Sequence, residues 1–386
     1  MCQPGGARQR AFQAQDIPGT LRDTRAMGPR AFRWVLHVDL DQFLVAVEVL
    51  RRPELAGRQV VVGGRGDPTE RAVVSTASYE ARELGVSSGM PLRVAARKAP
   101  DAIILPVDHE TYLEASERVM DTLRGLGTVV EVLGWDEAFL GCDADDPEAL
   151  ARRAQEAVLD ATGLHCSVGI GDNKIRAKIA TGFGKPAGVF RLTAQTWSEV
   201  MGWCPTIDLW GVGPKVSRRL AAHGIRTVAD LAAADADLLA AEFGPRMGAW
   251  YGDLGRGHGS AVVDDTPWVA RGHSRETTYQ RNLTTPEQVE AALRELVAQV
   301  HADTEAEGRP VFRVGLKVRY APFFTRDRSK KLPAPTRSLG ELTAAVLALA
   351  EGMEPGREVR LLGVRAEMVM PDGGDGVERT PVRGRI

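Results

Sequence analysis

Between residues 34 and 181, short apolar runs of strand length alternate with longer segments in which apolar residues recur at helical spacing. The run at 34–39 (WVLHVD) predicts a strand that ends in an acidic residue. Phe43, Val47 and Leu50 then follow at the spacing of a helix. Strands that alternate with helices indicate an α/β fold for this half of the chain.

The second half of the chain changes pattern twice. Residues 195–263 carry short helix-like segments separated by glycines, which predicts a small helical domain. Residues 264–275 contain Pro267, several charges and little periodicity, and we predict an interdomain linker there. The segment from 276 to 370 is predicted to be an α+β unit, with helices near 286–306 and 338–352 and strands near 311–320 and 358–369.

Chain length and the two termini complete the predicted organisation. At about 150 residues per domain, the chain is long enough for about two to three domains, so the predicted fold class is α/β and multidomain. Residues 1–33 are rich in Gly, Arg, Gln and Pro without a sustained apolar period, and are predicted to be a disordered extension. The tail at 371–386 is predicted to be disordered as well.

Composition excludes several classes of protein. Hydrophobic residues at 44% and charged residues at 26% are average for globular chains, which argues against a disordered or fibrous protein. No run of 18 apolar residues and no signal peptide is evident, so we expect no membrane contact and a cytoplasmic location. The four cysteines form no CxxC pair and are expected to be reduced thiols. The net charge of -2 means that affinity for nucleic acid requires a local basic surface.

Three acidic residues are predicted to converge at one edge of the sheet. Asp39 ends the first strand, and Asp136 and Glu137 follow Gly134 at a break between two strand segments predicted over 129–140. Because neighbouring residues of a regular strand point to opposite faces, Asp136 and Glu137 can share a ligand only at such a break. Carboxylate oxygens suit Mg²⁺ or Mn²⁺, and a pair of such ions is typical of phosphoryl transfer. Solvation of strand ends is the alternative interpretation.

Several basic and aromatic side chains could contact phosphates near these acids. Tyr79 and Arg82 are three residues apart on a predicted helix and therefore share a face, where they could bind a triphosphate. Lys185 lies in a Gly-Lys-Pro loop that can hold a cation toward phosphates. Lys174 and Lys178 are explained equally well as part of a solvated helix face.

Two other segments suggest contact with DNA. Gly211, Gly213 and Lys215 belong to the sequence GVGPK between two short helices, a pattern typical of a helix-hairpin-helix whose backbone N–H groups approach a phosphate. A basic segment follows at 312–331, and the DNA contacts that we predict in it are Arg313, Lys317, Arg319, Lys330 and Lys331. The first three of these share a parity and hence one strand face. An ordinary turn and a solvated, charge-rich sheet are the alternatives.

In this order, the segments resemble the Y-family translesion DNA polymerases of the DinB type over residues 34–368. The motifs that carry the resemblance are HVDLDQFL at 37–44, STASYEAR at 75–82, DEAFL at 136–140, SVGIGDNK at 167–174, GKP at 184–186 and the hairpin at 211–215. The resemblance implies a right-hand polymerase fold with a C-terminal little finger. The implied domains are a ferredoxin-like palm at 34–50 and 110–194, small fingers at 51–109, a helical thumb at 195–263 and the little finger at 276–370.

The resemblance also implies an activity and its participants. A template-directed polymerase of this type adds nucleotides to a primer 3′-hydroxyl with low fidelity, and acts as a monomer on primer-template DNA. Its cofactors are two Mg²⁺ ions, which Mn²⁺ can replace, and its substrates are deoxyribonucleoside triphosphates. The residues carried over are Asp39 and Asp136 as bridging metal ligands, Glu137 on the catalytic ion, the carbonyl of Leu40 on the nucleotide's ion, Tyr79, Arg82 and Lys185 on the triphosphate, and Phe43 and Leu44 against the nucleotide.

Departures of this chain from the family pattern change two of the expectations that the resemblance implies. Leu44 occupies the position of the usual aromatic steric gate, as in a leucine-gated, actinobacterial-like DinB subgroup. A leucine is shorter than an aromatic ring, so we expect weak discrimination against the ribose 2′-hydroxyl and use of ribonucleotides. The tail at 371–386 lacks the Gln-x-x-Leu-Phe type of clamp-binding peptide, and we expect no sliding-clamp recruitment through it.

Three other functions are alternatives to a polymerase for the same residues. A non-catalytic, polymerase-like DNA-binding or mutasome adaptor is the main alternative, and the three acids argue against it. A nucleotide cyclase would leave the hairpin and the basic C-terminal segment unexplained. A two-metal nuclease would release mononucleotides rather than pyrophosphate.

Overall fold

The computed structural model describes residues 28–371. Its first elements along the chain are β1 (Arg30–Ala31), β2 (Trp34–Leu40), α1 (Phe43–Arg51), β3 (Val60–Gly63), β4 (Val74–Ala77), α2 (Tyr79–Glu83), α3 (Leu92–Lys98) and β5 (Ile103–Leu105). Strands β4, β3 and β5 form a small sheet in that order. Its core is formed by small and branched side chains of β3, β4, α2 and α3, which suits a unit of this size.

The chain then completes a second, five-stranded sheet. The elements are α4 (His109–Arg124), β6 (Val129–Val132), β7 (Glu137–Cys142), α5 (Pro147–Thr162), β8 (Cys166–Gly171), α6 (Lys174–Gly184) and β9 (Val189–Leu192). The strand order is β6-β7-β2-β8-β9, with β2 central and antiparallel to both neighbours. The predicted break near Gly134 is confirmed, because β6 ends and β7 begins on either side of it.

The two faces of this sheet are covered differently. Leu36, Val38 and Leu40 point to the face that packs on α4 and α5, as alternation along a strand requires. Helix α6 covers the other face and approaches β8 so closely that a Cβ on Gly169 would lie 2.0 Å from the carbonyl oxygen of Ala177. Glycine is therefore required there, and this close approach brings the side chains of α6 over the odd-numbered residues of β2.

A helical unit follows, as the sequence predicts. It comprises α7 (Trp197–Met201), α8 (Pro214–Ala222), α9 (Val228–Ala233), α10 (Ala236–Phe243), α11 (Pro245–Gly255) and then β10 (Val262–Val263). Its apolar cluster includes Trp197, Leu220, Leu231 and Leu254, all buried. Five short helices around one shared core form a unit that can present its loops to a ligand.

The C-terminal unit is α+β, as predicted. Its elements are β11 (Gly272–Leu283), α12 (Pro286–Glu307), β12 (Val311–Tyr320), β13 (Phe324–Thr336), α13 (Leu339–Ala350) and β14 (Val359–Met368). The antiparallel sheet has the order β11-β14-β12-β13. Along β12, the even-numbered residues from Val314 to Tyr320 are buried against the helices and the odd-numbered ones face outward. The long edge strand β13 was not predicted.

The structure differs from the sequence-based boundaries at two places. Residues 28–33 were assigned to the disordered extension, but Arg30–Ala31 pairs with β10 and Phe32 is buried. The predicted linker ends too late, because β11 already begins at Gly272. Arg71, on the loop between β3 and β4, donates hydrogen bonds to the Tyr279 carbonyl at 2.9 Å and to Asn282 at 2.6 Å, which hold β11 against the first part of the chain. The predicted tail after residue 371 and the rest of the extension lie outside the described residues.

Two expectations from composition can be compared with residues 28–371. No helix in this range combines the length and the apolar character needed to cross a bilayer. Cys142, Cys166 and Cys204 are each unpaired, in agreement with the expected thiols.

A buried carboxylate anchors α1 to the helix α4. The Tyr112 hydroxyl, which is buried, donates to Glu48 at 2.8 Å, and Arg51 and Arg52 also bind this carboxylate. We expect Tyr112→Phe to lower the free energy of unfolding by about 1.5–3 kcal/mol, because hydrogen bonds to buried charges contribute that much. Urea denaturation measures it. Tyr251→Phe is the matched control, since no hydrogen bond of the Tyr251 hydroxyl is found among the described residues, and an equal loss in both variants would contradict the role of Glu48.

Candidate active site and nucleic-acid interface

The acidic centre is built by the pairing of β2 with β7. Asp39 lies directly opposite Glu137 in the register, on the face covered by α6. Cross-strand partners have Cβ atoms about 4.5–5.5 Å apart, so the two carboxylates are neighbours. Asp136 lies in the bend just before β7, and its carbonyl accepts a hydrogen bond from the Leu40 N–H at 2.9 Å. The predicted convergence of three acids is therefore observed in the backbone.

The side chains form a tighter group that includes a histidine. Ligand atoms of His37, Asp39 and Glu137 all lie within 4.8 Å of one another. Asp136 is not part of this compact group, although the charges of Asp39 and Glu137 both act on it. His37 shares the face of Asp39 because the two residues are two apart on β2.

Two lysines neutralise the paired carboxylates. Lys185 forms an ion pair with Asp39, and Lys178 of α6 forms one with Glu137. The ammonium of Lys178 also lies 3.2 Å from His37 Nε2, which in turn is 3.1 Å from Glu137 Oε2. An ammonium group therefore lies beside each carboxylate, which indicates that the negative charge at this edge of the sheet attracts cations.

The same contacts shift the pKa values of the acids. Burial, together with the negative charges of Asp39 and Glu137, raises the pKa of Asp136 to about 6. Burial alone would raise the pKa of Glu137 too, but the hydrogen bond from His37 and the charge of Lys178 outweigh it and lower that pKa to about 2. Burial also lowers the pKa of His37. The three carboxylates of the centre carry more negative charge than Lys178 and Lys185 neutralise, as expected for oxygen ligands of a divalent cation.

A fourth acid, Asp41, organises the turn beyond β2. It is buried and accepts hydrogen bonds from Ser167 Oγ at 2.9 Å, Tyr79 OH at 3.0 Å and Ala187 N at 2.7 Å. The next residue, Gln42, has a left-handed φ of 42° and accepts a hydrogen bond from Tyr79 N at 2.8 Å. Asp41 thereby joins β2, β8, α2 and the loop after Lys185, and its oxygens are occupied by these structural contacts.

The predicted phosphate-binding side chains are placed by this turn. The guanidinium of Arg82 lies over the ring of Tyr79, 5.2 Å from its centroid, so the predicted shared face is observed. Arg82 Nε donates to the Ala77 carbonyl at 2.9 Å, which leaves its terminal nitrogens for another partner. Lys185 reaches Asp39 from the far side of the turn. The structure brings Lys185 to the acids and places Tyr79 and Arg82 beside Asp41.

The predicted sugar gate, Leu44, and the predicted nucleotide contact, Phe43, lie at the start of α1. Phe43 and Leu44 are its first two residues and follow the left-handed Gln42 directly. Leu44 is 9% exposed and packs with the cluster beneath the sheet, as does Phe43. The side chain at position 44 is therefore fixed by packing.

The predicted hairpin joins α8 to the segment before it. Gly211 has a φ of 95°, and a Cβ on it would lie 2.5 Å from the ring of Trp250, so only glycine is tolerated. Gly213 caps the start of α8, Pro214–Ala222, and Lys215 is exposed in the first turn. The first N–H groups of a helix lack internal partners, so this end of α8 can donate to a phosphate.

The basic residues of the C-terminal sheet divide between its two faces. Lys331 lies opposite Arg313, and both share the outward face with Lys317 and Arg319. Lys330 lies opposite the buried Val314 and therefore belongs to the other face. Lys330 therefore does not share the face of the other four predicted DNA contacts, and its contact with DNA stays a prediction.

Acidic neighbours partly neutralise the outward face. Lys317 binds Glu276 at 2.8 Å, and Arg313 is 3.8 Å from Glu367. Exposed pairs of this kind are weak and screened by salt, so they can exchange for a phosphate.

Sequence reasoning missed three residues of the centre. His37 and Asp41 lie in the same strand-end motif as Asp39, at the two-residue spacing that places side chains on one face, and this spacing could have identified them. Lys178 was left open between a phosphate contact and a solvated helix face, yet its side chain is only 15% exposed and bound to Glu137. Lys174 is likewise paired, with Glu131 at 2.6 Å.

Comparison with known proteins adds evidence of ancestry. The impB/mucB/samB family matches residues 38–182, its C-terminal domain matches residues 270–377, and a SAM-like tandem helix-hairpin-helix matches residues 207–247. DNA polymerase IV 2 of Mycobacterium tuberculosis is 49% identical over 346 residues, which cover 89% of this chain and 100% of the relative. DNA polymerase IV of Desulfatibacillum aliphaticivorans is 35% identical over 348 residues, covering 88% and 86%.

Solved structures agree on the fold. A Y-family polymerase chimera of Dbh and Dpo4 superposes with a TM-score of 0.78 at 24% identity, covering 88% of this chain and 100% of the other. DinB from Sulfolobus solfataricus gives a TM-score of 0.58 at 25% identity, covering 87% and 99%. Both matches cover most of this chain and agree with the α/β architecture described above. The chain therefore belongs to the impB/mucB/samB family and is a translesion DNA polymerase of the DinB type within the Y family.

Proposed function

We propose that this polymerase binds primer-template DNA and a nucleoside triphosphate, and extends the primer with the aid of two Mg²⁺ ions held at the end of β2. The observation that carries the proposal is the direct opposition of Asp39 and Glu137, each with a lysine as counter-ion. Asp39, Asp136 and Glu137, with the carbonyl of Leu40, would hold the ions, and Mn²⁺ would fit the same oxygen ligands. Ions bound there would lower the pKa of the primer 3′-hydroxyl and neutralise charge on the pyrophosphate.

The protein's own groups position the nucleotide. Tyr79 and Arg82 on α2 would contact the triphosphate, since the terminal guanidinium nitrogens of Arg82 remain available for phosphate oxygens. Lys185 would exchange Asp39 for a phosphate when a divalent ion neutralises that carboxylate. Asp41 holds this arrangement through its three hydrogen bonds and takes no part in the reaction.

Each domain would have the role that the corresponding domain has in other right-hand polymerases. The five-stranded sheet serves as the palm, and the small sheet β4-β3-β5 as the fingers. The helical unit serves as the thumb and the C-terminal unit as the little finger. The hairpin at Gly211 and Gly213, with Lys215, and the outward face of the C-terminal sheet would bind the DNA backbone. One chain carries all of these parts, which supports action as a monomer.

The role of the acids is tested by Asp136→Asn in primer extension with Mg²⁺ or Mn²⁺. Loss of a metal ligand removes several kcal/mol of transition-state stabilisation, so we expect the extension rate to fall by about a thousandfold or more. Affinity for primer-template DNA should not fall. Asp145→Asn is the control, because the side chain of Asp145 is 100% exposed and forms a surface ion pair with Arg33. Extension by Asp136→Asn at the wild-type rate would refute the metal-ligand role, and DNA binding without extension by the wild-type chain would favour the adaptor.

The sugar gate is tested by Leu44→Tyr with deoxyribonucleotides and ribonucleotides offered separately. We expect ribonucleotide incorporation to fall by at least about tenfold, because an added ring excludes the 2′-hydroxyl sterically, while deoxyribonucleotide incorporation continues. Leu50→Tyr makes the same change on the same helix at a 50% exposed position and should alter neither. Unchanged ribonucleotide use in a folded Leu44→Tyr variant would contradict the gate.

The outward face is tested by two adjacent lysines. Lys331→Gln should weaken DNA binding and reduce the slope of log affinity against log salt concentration by about 1, because one phosphate contact is lost. Lys330→Gln makes the same change in charge on the opposite face and should leave the slope unchanged. Fluorescence anisotropy over a salt series measures both. Equal slopes for the two variants would show that this face does not contact the DNA backbone.

A further inference from the structure

A tryptophan of the thumb contacts the palm beside the acidic centre. The ring of Trp210 lies with its centroid 5.3 Å from Lys178 Nζ, within the range of a cation–π contact. Trp210 is half-buried and packs against the apolar cluster of the thumb. Its ring therefore spans the boundary between the two domains.

Lys178 continues this contact to the acids. Its ammonium binds Glu137 and lies 3.2 Å from His37 Nε2. His37 is itself held by Thr181 of α6, with His37 Nδ1 2.8 Å from Thr181 Oγ1. A direct series of contacts thus leads from Trp210 through Lys178 to Glu137.

The other side of Trp210 is the DNA-binding hairpin. Trp210 directly precedes Gly211, whose backbone is fixed by its left-handed φ and by the ring of Trp250 beside it. Because these two residues share a peptide bond, Trp210 and the hairpin belong to one continuous backbone segment. Helix α8 begins four residues after Trp210, at Pro214, and its first backbone N–H is that of Lys215.

We propose that Trp210 is a positioning residue of the thumb that supports the placement of Glu137, acting through Lys178. The inference rests on the proposed role of Glu137 as a metal ligand. The indole holds the ammonium of Lys178, and Lys178 holds the carboxylate of Glu137 in the orientation that accepts the ion. Without the indole, Lys178 is free to reorient and the carboxylate loses this support.

The experiment compares Trp210→Leu with Trp203→Leu in the full chain. Trp203 lies in the same domain but is 88% exposed, so it controls for loss of an indole. For Trp210→Leu we expect Mn²⁺ binding to the DNA complex, followed by electron paramagnetic resonance, to weaken by about two- to thirtyfold, the range that a cation–π contact provides. The value of kcat should fall with it, while KM for the nucleotide and the Kd for DNA stay the same. Trp210→Phe keeps an aromatic face and should restore most of the loss.

A double-mutant cycle with Lys178→Met identifies the route of the coupling. If Trp210 acts through Lys178, Trp210→Leu should have no further effect on Mn²⁺ binding in the Lys178→Met background. An equal effect in both backgrounds would overturn the proposal. Unchanged Mn²⁺ affinity in Trp210→Leu would also overturn it. A loss of DNA affinity alone would overturn it too, because that result would assign the indole to packing within the thumb. Failure of the metal site itself would appear separately, as wild-type extension by Asp136→Asn.

Discussion

Asp39 on β2 lies directly opposite Glu137 on β7, which places two carboxylates side by side at the end of a sheet. Basic side chains beside them neutralise part of this negative charge. Lys185 binds one carboxylate and Lys178 the other. Asp136, in the bend just before β7, has its pKa raised to about 6 by burial and by the charges of Asp39 and Glu137. Repulsion of this kind is relieved by bound cations, which links the fold of the palm to its chemistry.

The supporting structure fixes this charge in place. The alternation of β2 sends Leu36 and Val38 into the core and His37 and Asp39 to the face beneath α6. Gly169 allows α6 to lie against the sheet closely enough for its lysines to reach the acids. The positions of His37 and Asp39 along β2 and the close approach of α6 together determine where the acidic and basic side chains meet.

Much of this arrangement could be predicted from local patterns. The strand ending at Asp39, the break near Gly134 and the hairpin at Gly211 each have a sequence signal that arises from backbone geometry. The role of Lys178 could not be predicted, because its partner Glu137 is 41 residues away and only packing brings them together.

The strand β13 shows a different limit of sequence reasoning. It lies at the edge of its sheet, buries only Leu332 and contains Pro333, features that hide a strand from hydrophobic pattern analysis. Without its register, Lys330 and Lys331 could not be assigned to faces.

The most direct test of the central claim is a crystal structure of the complex with primer-template DNA, a nucleotide and Mn²⁺, in which anomalous scattering locates the ions. We predict two manganese peaks in contact with Asp39 and Asp136, one of them also bound by Glu137 and the other by the carbonyl of Leu40. Lys185 and Lys178 should no longer be the only cations beside the paired carboxylates. Peaks elsewhere, with Lys185 still bound to Asp39, would contradict the account.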